Sequence, residues 1–245
     1  MKETQRGKRF IVIDGFLSDQ DLSGARDLME RATFTRQESV ISAEDGPAFR
    51  SKGMQFRAGL GTAGKSGRPE VYEELAHTVG MYSDFYGQAG SDWDRIAFAF
   101  WKYPAGSRLG WHNDAGQGRQ GEFILFLHER WRPSWGGELK LIDEDPQSAA
   151  EDEATESDLV LRMEARIEQS ATSPVAIVPK PNRLVLVKSE TIHTIGRVDH
   201  TAGGTLRRTL TGFVSKSQKR EADSANAREK FEAILSANCS PQPAH

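Results

Sequence analysis

Ile96-Ala97-Phe98-Ala99-Phe100-Trp101-Lys102-Tyr103, closed by Pro104-Ala105-Gly106 and followed by Leu109-Gly110-Trp111-His112-Asn113-Asp114, marks the point where the chain turns to β character. An apolar, aromatic-rich run of this length, ended by Pro and Gly, is a strand bounded by a turn. Seven more short segments follow: Leu109 to Asp114, Phe123 to His128, Glu138 to Ile142, Val175 to Val178, Arg183 to Lys188, Ile192 to Val198 and Leu206 to Val214. Eight short strands separated by Gly/Pro turns predict a mostly β fold, a sandwich or barrel. The interval from Asp143 to Ser173 interrupts the series as an insertion. Its first half is acidic and rich in Ala and Ser, and Leu159 to Ile167 is expected to be a short helix.

Working back toward the N-terminus, Arg9 to Ile13 reads as a short strand stopped by Asp14-Gly15. Ser18 then has the character of an N-cap, with Asp21 three residues on, for a helix reaching about Ala32. Leu22, Ala25, Leu28 and Met29 give that helix one apolar face. Ser42 to Pro69 is rich in Gly, Ser, Lys and Arg with little periodicity. It reads as a long mobile loop, and loops of such length are usually functional or disordered. A second helix is expected from Pro69 to about Tyr86, and a charged surface helix from Lys219 to Ala237. No internal repeat is evident.

The bulk properties exclude several classes. The chain has 245 residues, 37% hydrophobic and 27% charged, with a formal net charge of −3. That charge exerts no long-range pull on nucleic acid or anionic membrane. No apolar run approaches the roughly 20 residues needed to span a bilayer. The opening MKETQRGKRF carries no apolar stretch of signal-peptide length, so the cytoplasm is the expected location. Cys239 is the only cysteine, which rules out an internal disulfide and a cysteine-based zinc site.

Three motifs carry chemistry. On a strand, residues two apart share a face, so His112 and Asp114 project together while Trp111 and Asn113 point away. An imidazole and a carboxylate on one face are two thirds of a 2-His-1-carboxylate facial triad suited to non-haem Fe(II). Taken alone, the tripeptide is weak evidence and reads first as exposed turn residues. His193, just after the apolar strand Leu184-Val185-Leu186-Val187, is either a satisfied core histidine or the third ligand from a facing strand. In Leu206-Arg207-Arg208-Thr209-Leu210-Thr211-Gly212-Phe213, period 2 puts Arg207, Thr209, Thr211 and Phe213 on one face, and Leu206, Arg208 and Leu210 on the other. If the first face is buried, Arg207 needs an anionic partner, which a dicarboxylate supplies; otherwise Arg207 faces solvent. The remaining histidines, His77, His128, His200 and His245, are expected to be structural or solvent-facing.

In that order, His112-x-Asp114, a distal His193 and Arg207-x-Thr209 resemble the 2-oxoglutarate/Fe(II) dioxygenase superfamily, most closely its prolyl 4-hydroxylase-like branch. Tyr103-Pro104-x-Gly106 and Trp135-Gly136-Gly137-Glu138-Leu139 support the resemblance, which covers about Arg95 to Val214. It implies a double-stranded β-helix, a cupin-like jelly roll, with flanking α-helices. It implies Fe(II) on His112, Asp114 and His193, with 2-oxoglutarate and O2 as cosubstrates and room for ascorbate. Arg207 matches the residue that binds the distal carboxylate, with Thr209 beside it, and Tyr103 resembles a tyrosine that donates to 2-oxoglutarate. Arg208 lacks the x-[ST] that follows. Related halogenases have a small residue where Asp114 stands, so the carboxylate here favours hydroxylation. The implied organisation is one oxygenase domain over 1–245. Residues 1–94 form a helical support with the 42–69 loop as a lid, 95–214 form the jelly-roll core with its 143–173 insertion, and 215–245 form a C-terminal helix and tail.

The expected reaction is oxidation of an unactivated C–H bond with release of succinate and CO2. A small-molecule substrate, such as an amino acid or specialised metabolite, is favoured over a peptidyl or prolyl side chain because no separate peptide-docking region is visible. A non-catalytic jelly-roll binder would keep the fold without turnover, and a zinc hydrolase would use the same three ligands but leave Arg207-x-Thr209 without a purpose. The sequence leaves the oligomeric state open.

Overall fold

The computed structural model describes residues 1–57, 69–116, 118–145 and 156–217; the helix expected at Lys219 to Ala237, and Cys239, lie outside them. In chain order the elements are β1 (Lys2–Arg6), β2 (Phe10–Asp14), α1 (Asp19–Arg31), β3 (Phe34–Gln37), β4 (Ala48–Ser51), β5 (Met54–Arg57), α2 (Glu70–Met81), α3 (Ser83–Tyr86), β6 (Arg95–Tyr103), β7 (Leu109–His112), β8 (Arg119–Phe126), β9 (Leu139–Leu141), α4 (Glu156–Glu168), β10 (Val175–Ile177), β11 (Arg183–Lys188), β12 (His193–Ile195) and β13 (Arg207–Ser215). Helix α1 begins where Ser18 Oγ accepts a hydrogen bond from the Asp21 amide at 3.1 Å.

Every pairing between these strands is antiparallel. The larger sheet runs β1-β2-β11-β8-β13-β6-β4-β3, with β5 also on β6, and the smaller runs β10-β9-β12-β7. This is the jelly roll expected from the strand pattern. Period 2 sorts the side chains of the larger sheet into two incompatible faces. The cross-strand row Ile13–Leu184–Leu125–Leu210–Phe100 packs outward, with Leu22, Met29, Val71 and Leu75 of α1 and α2 in the same apolar cluster. The next row, Val12–Val185–Ile124–Thr211–Ala99, faces the smaller sheet. At its β2–β11–β8 end this inner face is dry: Phe10, Val12, Val185, Ile124 and Phe126 pack on Leu139, Leu141 and Ile177. At its β13–β6 end the side chains are small or polar, and there a cavity opens.

Three expectations need correction. Ser42 to Pro69 is not one long loop. It contains a 3-10 turn at Ala43–Asp45 and strands β4 and β5, both paired with β6; residues 58–68 lie outside the described set. The strands are four residues each and half exposed, so no apolar period announces them, and they are held by a partner some 45 residues away in sequence. Asp45 fastens the preceding turn: it is 0% exposed, and its carboxylate accepts from Ser39 Oγ (2.6 Å), Arg108 Nε (3.0 Å) and the Gly110 amide (3.0 Å). The first 94 residues are also less helical than expected, since β1 to β5 join the larger sheet. The insertion helix is longer than Leu159 to Ile167, running as α4 from Glu156 to Glu168, and it lies against β7. Among the described residues no helix is long and apolar enough to cross a membrane.

The two faces of β13 give a direct comparison. Leu210 is fully buried, whereas Arg208 makes a half-exposed ion pair with Glu30. Leu210→Ala should cost about 2–5 kcal/mol of unfolding free energy, and Arg208→Ala less than about 1 kcal/mol. Urea denaturation of the two variants, with unchanged m-values, checks the difference.

Candidate active site

Strands β7 and β12 pair so that His112 lies directly opposite His193, with ring centroids 4.2 Å apart. Each imidazole is oriented by its own strand. His112 Nδ1 is 2.8 Å from the Gly110 carbonyl and His193 Nδ1 is 2.8 Å from the Thr191 carbonyl. A carbonyl only accepts, so both Nδ1 atoms carry the proton and both Nε2 lone pairs are left for another partner. The supports are themselves braced: the Gly110 amide donates to Asp45, and Thr191 Oγ1 accepts from Arg9 Nε at 3.1 Å.

Strand β7 ends at His112, so Asp114 lies two residues past it, not on the strand as expected. Arg119 holds it there, donating to the Asp114 carbonyl at 2.6 Å and sitting 3.5 Å from Oδ1. Asp114 Oδ2 is 3.8 Å from His193 Nε2, and one ligand atom from each of His112, Asp114 and His193 falls within 4.8 Å of the others. Two neutral imidazoles and one carboxylate at that spacing could hold a first-row divalent metal. Burial, and then the neighbouring His112, pull the His193 pKa down to about 4, which keeps that ligand unprotonated.

The polar end of the cavity is set by cross-strand rows. Tyr103 pairs with Arg207, and Trp101 with Thr209. Arg207 is 1% exposed, its Nε donates to the Gly137 carbonyl at 2.8 Å, and its Nη2 has no partner among the described residues. Burial lowers its pKa to about 10, opposed by Tyr103 and Glu138, so it stays cationic. Gly137 sits at φ +70°, a conformation that strains any side chain, and a Cβ there would stand 3.0 Å from Arg207 Cδ, so the arginine stem would have to give. A buried guanidinium without a carboxylate partner fits an anionic ligand. Thr209 is buried beside it, and desolvation raises the Tyr103 hydroxyl to about 12. His112, Asp114, His193, Arg207 and Tyr103 all line one cavity of about 510 Å³.

Two inward-facing residues were missed in the sequence. Glu122 is 4% exposed, with Oε1 at 3.2 Å from His193 Nε2, and burial and the facing Asp114 carboxylate hold its pKa well above the ordinary value. A lone acid before the apolar run Phe123 to Leu127 was the available signal. His128 is 2% exposed, so it is not solvent-facing, and both its ring nitrogens lack partners among the described residues. His77 and His200 are exposed, and His245 lies outside the described residues.

Burial, and then Arg207, depress the His128 pKa from 6.5 to about 3. Between those values the unfolded chain binds a proton that the folded chain does not. Its contribution to stability is therefore full above pH 6.5 and falls as the pH drops, by roughly 1.4 kcal/mol per unit. Unfolding measured between pH 7.5 and 4.5 without ligand should show a shallower loss in His128→Phe than in the wild type.

Residues 98–215 match the family model described as the 2OG-Fe(II) oxygenase superfamily. No curated protein sequence matches the chain significantly. Among solved structures, the fold resembles a prolyl-4-hydroxylase from Pseudomonas putida (16% identity, TM-score 0.51, 86% of this chain and 94% of that one). It also resembles a Trichoplax adhaerens prolyl hydroxylase in complex with a hypoxia inducible factor peptide fragment (17%, TM-score 0.51, 85% and 84%). A third similar structure is HygX from Streptomyces hygroscopicus with nickel and 2-oxoglutarate bound (12%, TM-score 0.54, 86% and 84%). The matched stretch coincides with the strands that build this cavity, so residues 98–215 carry the pattern of the 2OG-Fe(II) oxygenase superfamily, enzymes that use Fe(II), 2-oxoglutarate and O2.

Proposed function

We propose that this chain is a single oxygenase domain that hydroxylates an unactivated C–H bond of a small molecule. In this reading His112, Asp114 and His193 hold the iron, and Arg207, Thr209 and Tyr103 hold 2-oxoglutarate. The observation that carries it is the sharing of one cavity by a His-Asp-His cluster and a buried guanidinium with no carboxylate partner among the described residues. Iron and 2-oxoglutarate would supply the oxidation, consuming O2 and releasing succinate and CO2.

The protein's own part is placement and exclusion. The Nδ1–carbonyl hydrogen bonds present both Nε2 atoms to the metal without a search over rotamers. Arg207 and Tyr103 would seize the far carboxylate and so orient the oxo-acid end toward the histidines. Ala97, Ala99, Thr211 and Trp101 line the same cavity as the His-Asp-His cluster, and the Arg50 guanidinium lies 5.6 Å from the Trp101 ring centroid. A cavity of about 510 Å³ lies within the roughly 300–1,000 Å³ typical of small-molecule sites. The HygX structure with hygromycin B bound, at 11% identity and TM-score 0.52, gives a small-molecule precedent on this fold; the Trichoplax enzyme gives the peptide alternative.

His112→Ala, Asp114→Ala and His193→Ala should each abolish 2-oxoglutarate-dependent succinate release and bind iron substoichiometrically while keeping the wild-type circular dichroism spectrum. Full activity with stoichiometric iron in any one of them removes that residue from the ligand set. Arg207→Ala should weaken 2-oxoglutarate binding by about 3–5 kcal/mol, and Arg208→Ala should leave it unchanged, as followed by anaerobic titration of the Fe(II) protein.

A further inference from the structure

Continuing the β8–β13 ladder past Thr209↔Phe126 brings His128 opposite Arg207. The Leu127 amide donates to the Arg208 carbonyl at 2.9 Å, so the pairing continues beyond the end of β8. On the other edge of β13, Arg207 pairs with Tyr103. Tyr103, Arg207 and His128 thus form one row across three strands, all on the inner face and each no more than 4% exposed.

We propose that His128 is a further cosubstrate-binding residue, its imidazole donating an N–H to the distal carboxylate held by Arg207. The proposal rests on the reading that Arg207 anchors 2-oxoglutarate. The imidazole is fixed in place: its ring centroid lies 5.7 Å from Phe126 and 4.9 Å from Trp131, and its main-chain carbonyl accepts from Arg26 Nη2 at 3.0 Å. Burial and the adjacent guanidinium keep it neutral, with one donor and one acceptor nitrogen. The acceptor could be met by Arg207. The donor could not, because a guanidinium offers only donors. A carboxylate seated between the two side chains accepts from both, satisfying the His128 N–H and the orphaned Arg207 Nη2 together. A purely space-filling residue between Phe126 and Trp131 would need neither nitrogen, so a phenylalanine would serve equally well there.

The test uses the zinc-loaded protein, which binds without turnover. Wild type, His128→Phe, His128→Gln and Arg207→Ala are titrated calorimetrically with 2-oxoglutarate and with pyruvate, which shares the 2-oxo acid head but lacks the distal carboxylate. His128→Phe should weaken 2-oxoglutarate binding roughly ten- to hundred-fold. His128→Gln, which keeps a donor, should recover part of the loss, and pyruvate binding should be unaltered. If Arg207→Ala weakens 2-oxoglutarate and His128→Phe does not, the His128 role is overturned while the Arg207 site stands. If neither variant matters, the dicarboxylate site itself is refuted, and His128 with it. Equal losses for 2-oxoglutarate and pyruvate in His128→Phe reduce the residue to a packing role. Should that variant fail to fold, the wild type still decides: the His128 ring signals in a 15N-histidine spectrum, assigned by their loss in His128→Gln, must move with 2-oxoglutarate and not with pyruvate.

Discussion

Strand β13 is paired along both edges, with β6 on one side and β8 on the other, and its two faces serve opposite solvents. Leu210 and Val214 are sealed against the helices, while Arg207 and Thr209 face the inside of the roll. A slip of one residue would turn Leu210 out of the apolar layer into the polar inside of the roll and swing Arg207 out toward Glu30. The slip is opposed at every pair, because each inner-face residue sits in a row fixed by two neighbours. The position of Arg207 is therefore a by-product of core packing, and the same hydrophobic contacts that hold the fold also aim its guanidinium.

Burying that guanidinium is costly unless its donors are met. The fold meets one with the Gly137 carbonyl, available because Gly136-Gly137 turns at positive φ and comes close to the arginine stem. The His112, Asp114 and His193 cluster follows a different logic. Both imidazoles are supported by main-chain carbonyls two residues earlier in the chain and by two distant polar anchors, Asp45 and Arg9, which brace the segments that carry those carbonyls. Neither anchor touches the cluster, yet each fixes the backbone that orients an imidazole.

The sequence made the inner face of β13 legible, since an i, i+2 pattern with Arg, Thr and Leu has one register that keeps the leucine dry. The His112–Asp114 spacing was legible for the same reason, although the carboxylate is held by Arg119 beyond the strand end, not by the strand. The sheet extension at 34–57 was not legible. Strands of four residues with polar outer faces form because β6 offers them an edge, and no local pattern records a partner so distant in sequence. Glu122 and His128 escaped for a related reason. An ionisable residue within or at the end of an apolar run is assigned to the surface by composition, and only the facing sheet determines that these two point inward.

If the proposed site is right, the depth gradient of the cavity would impose an order of events. His193 and Arg207 are sealed at its floor, His112 and Asp114 are partly open, and Arg50 stands exposed at the rim. A molecule seated among Ala97, Ala99 and Trp101 would stand between the rim and the floor. On the proposed reading, metal and dicarboxylate would arrive before the compound to be oxidised, and succinate would leave only after the product had cleared the same doorway. Queueing of this kind makes an excess of the oxidised compound's precursor obstructive: by occupying the passage early, it would shut the cosubstrate out.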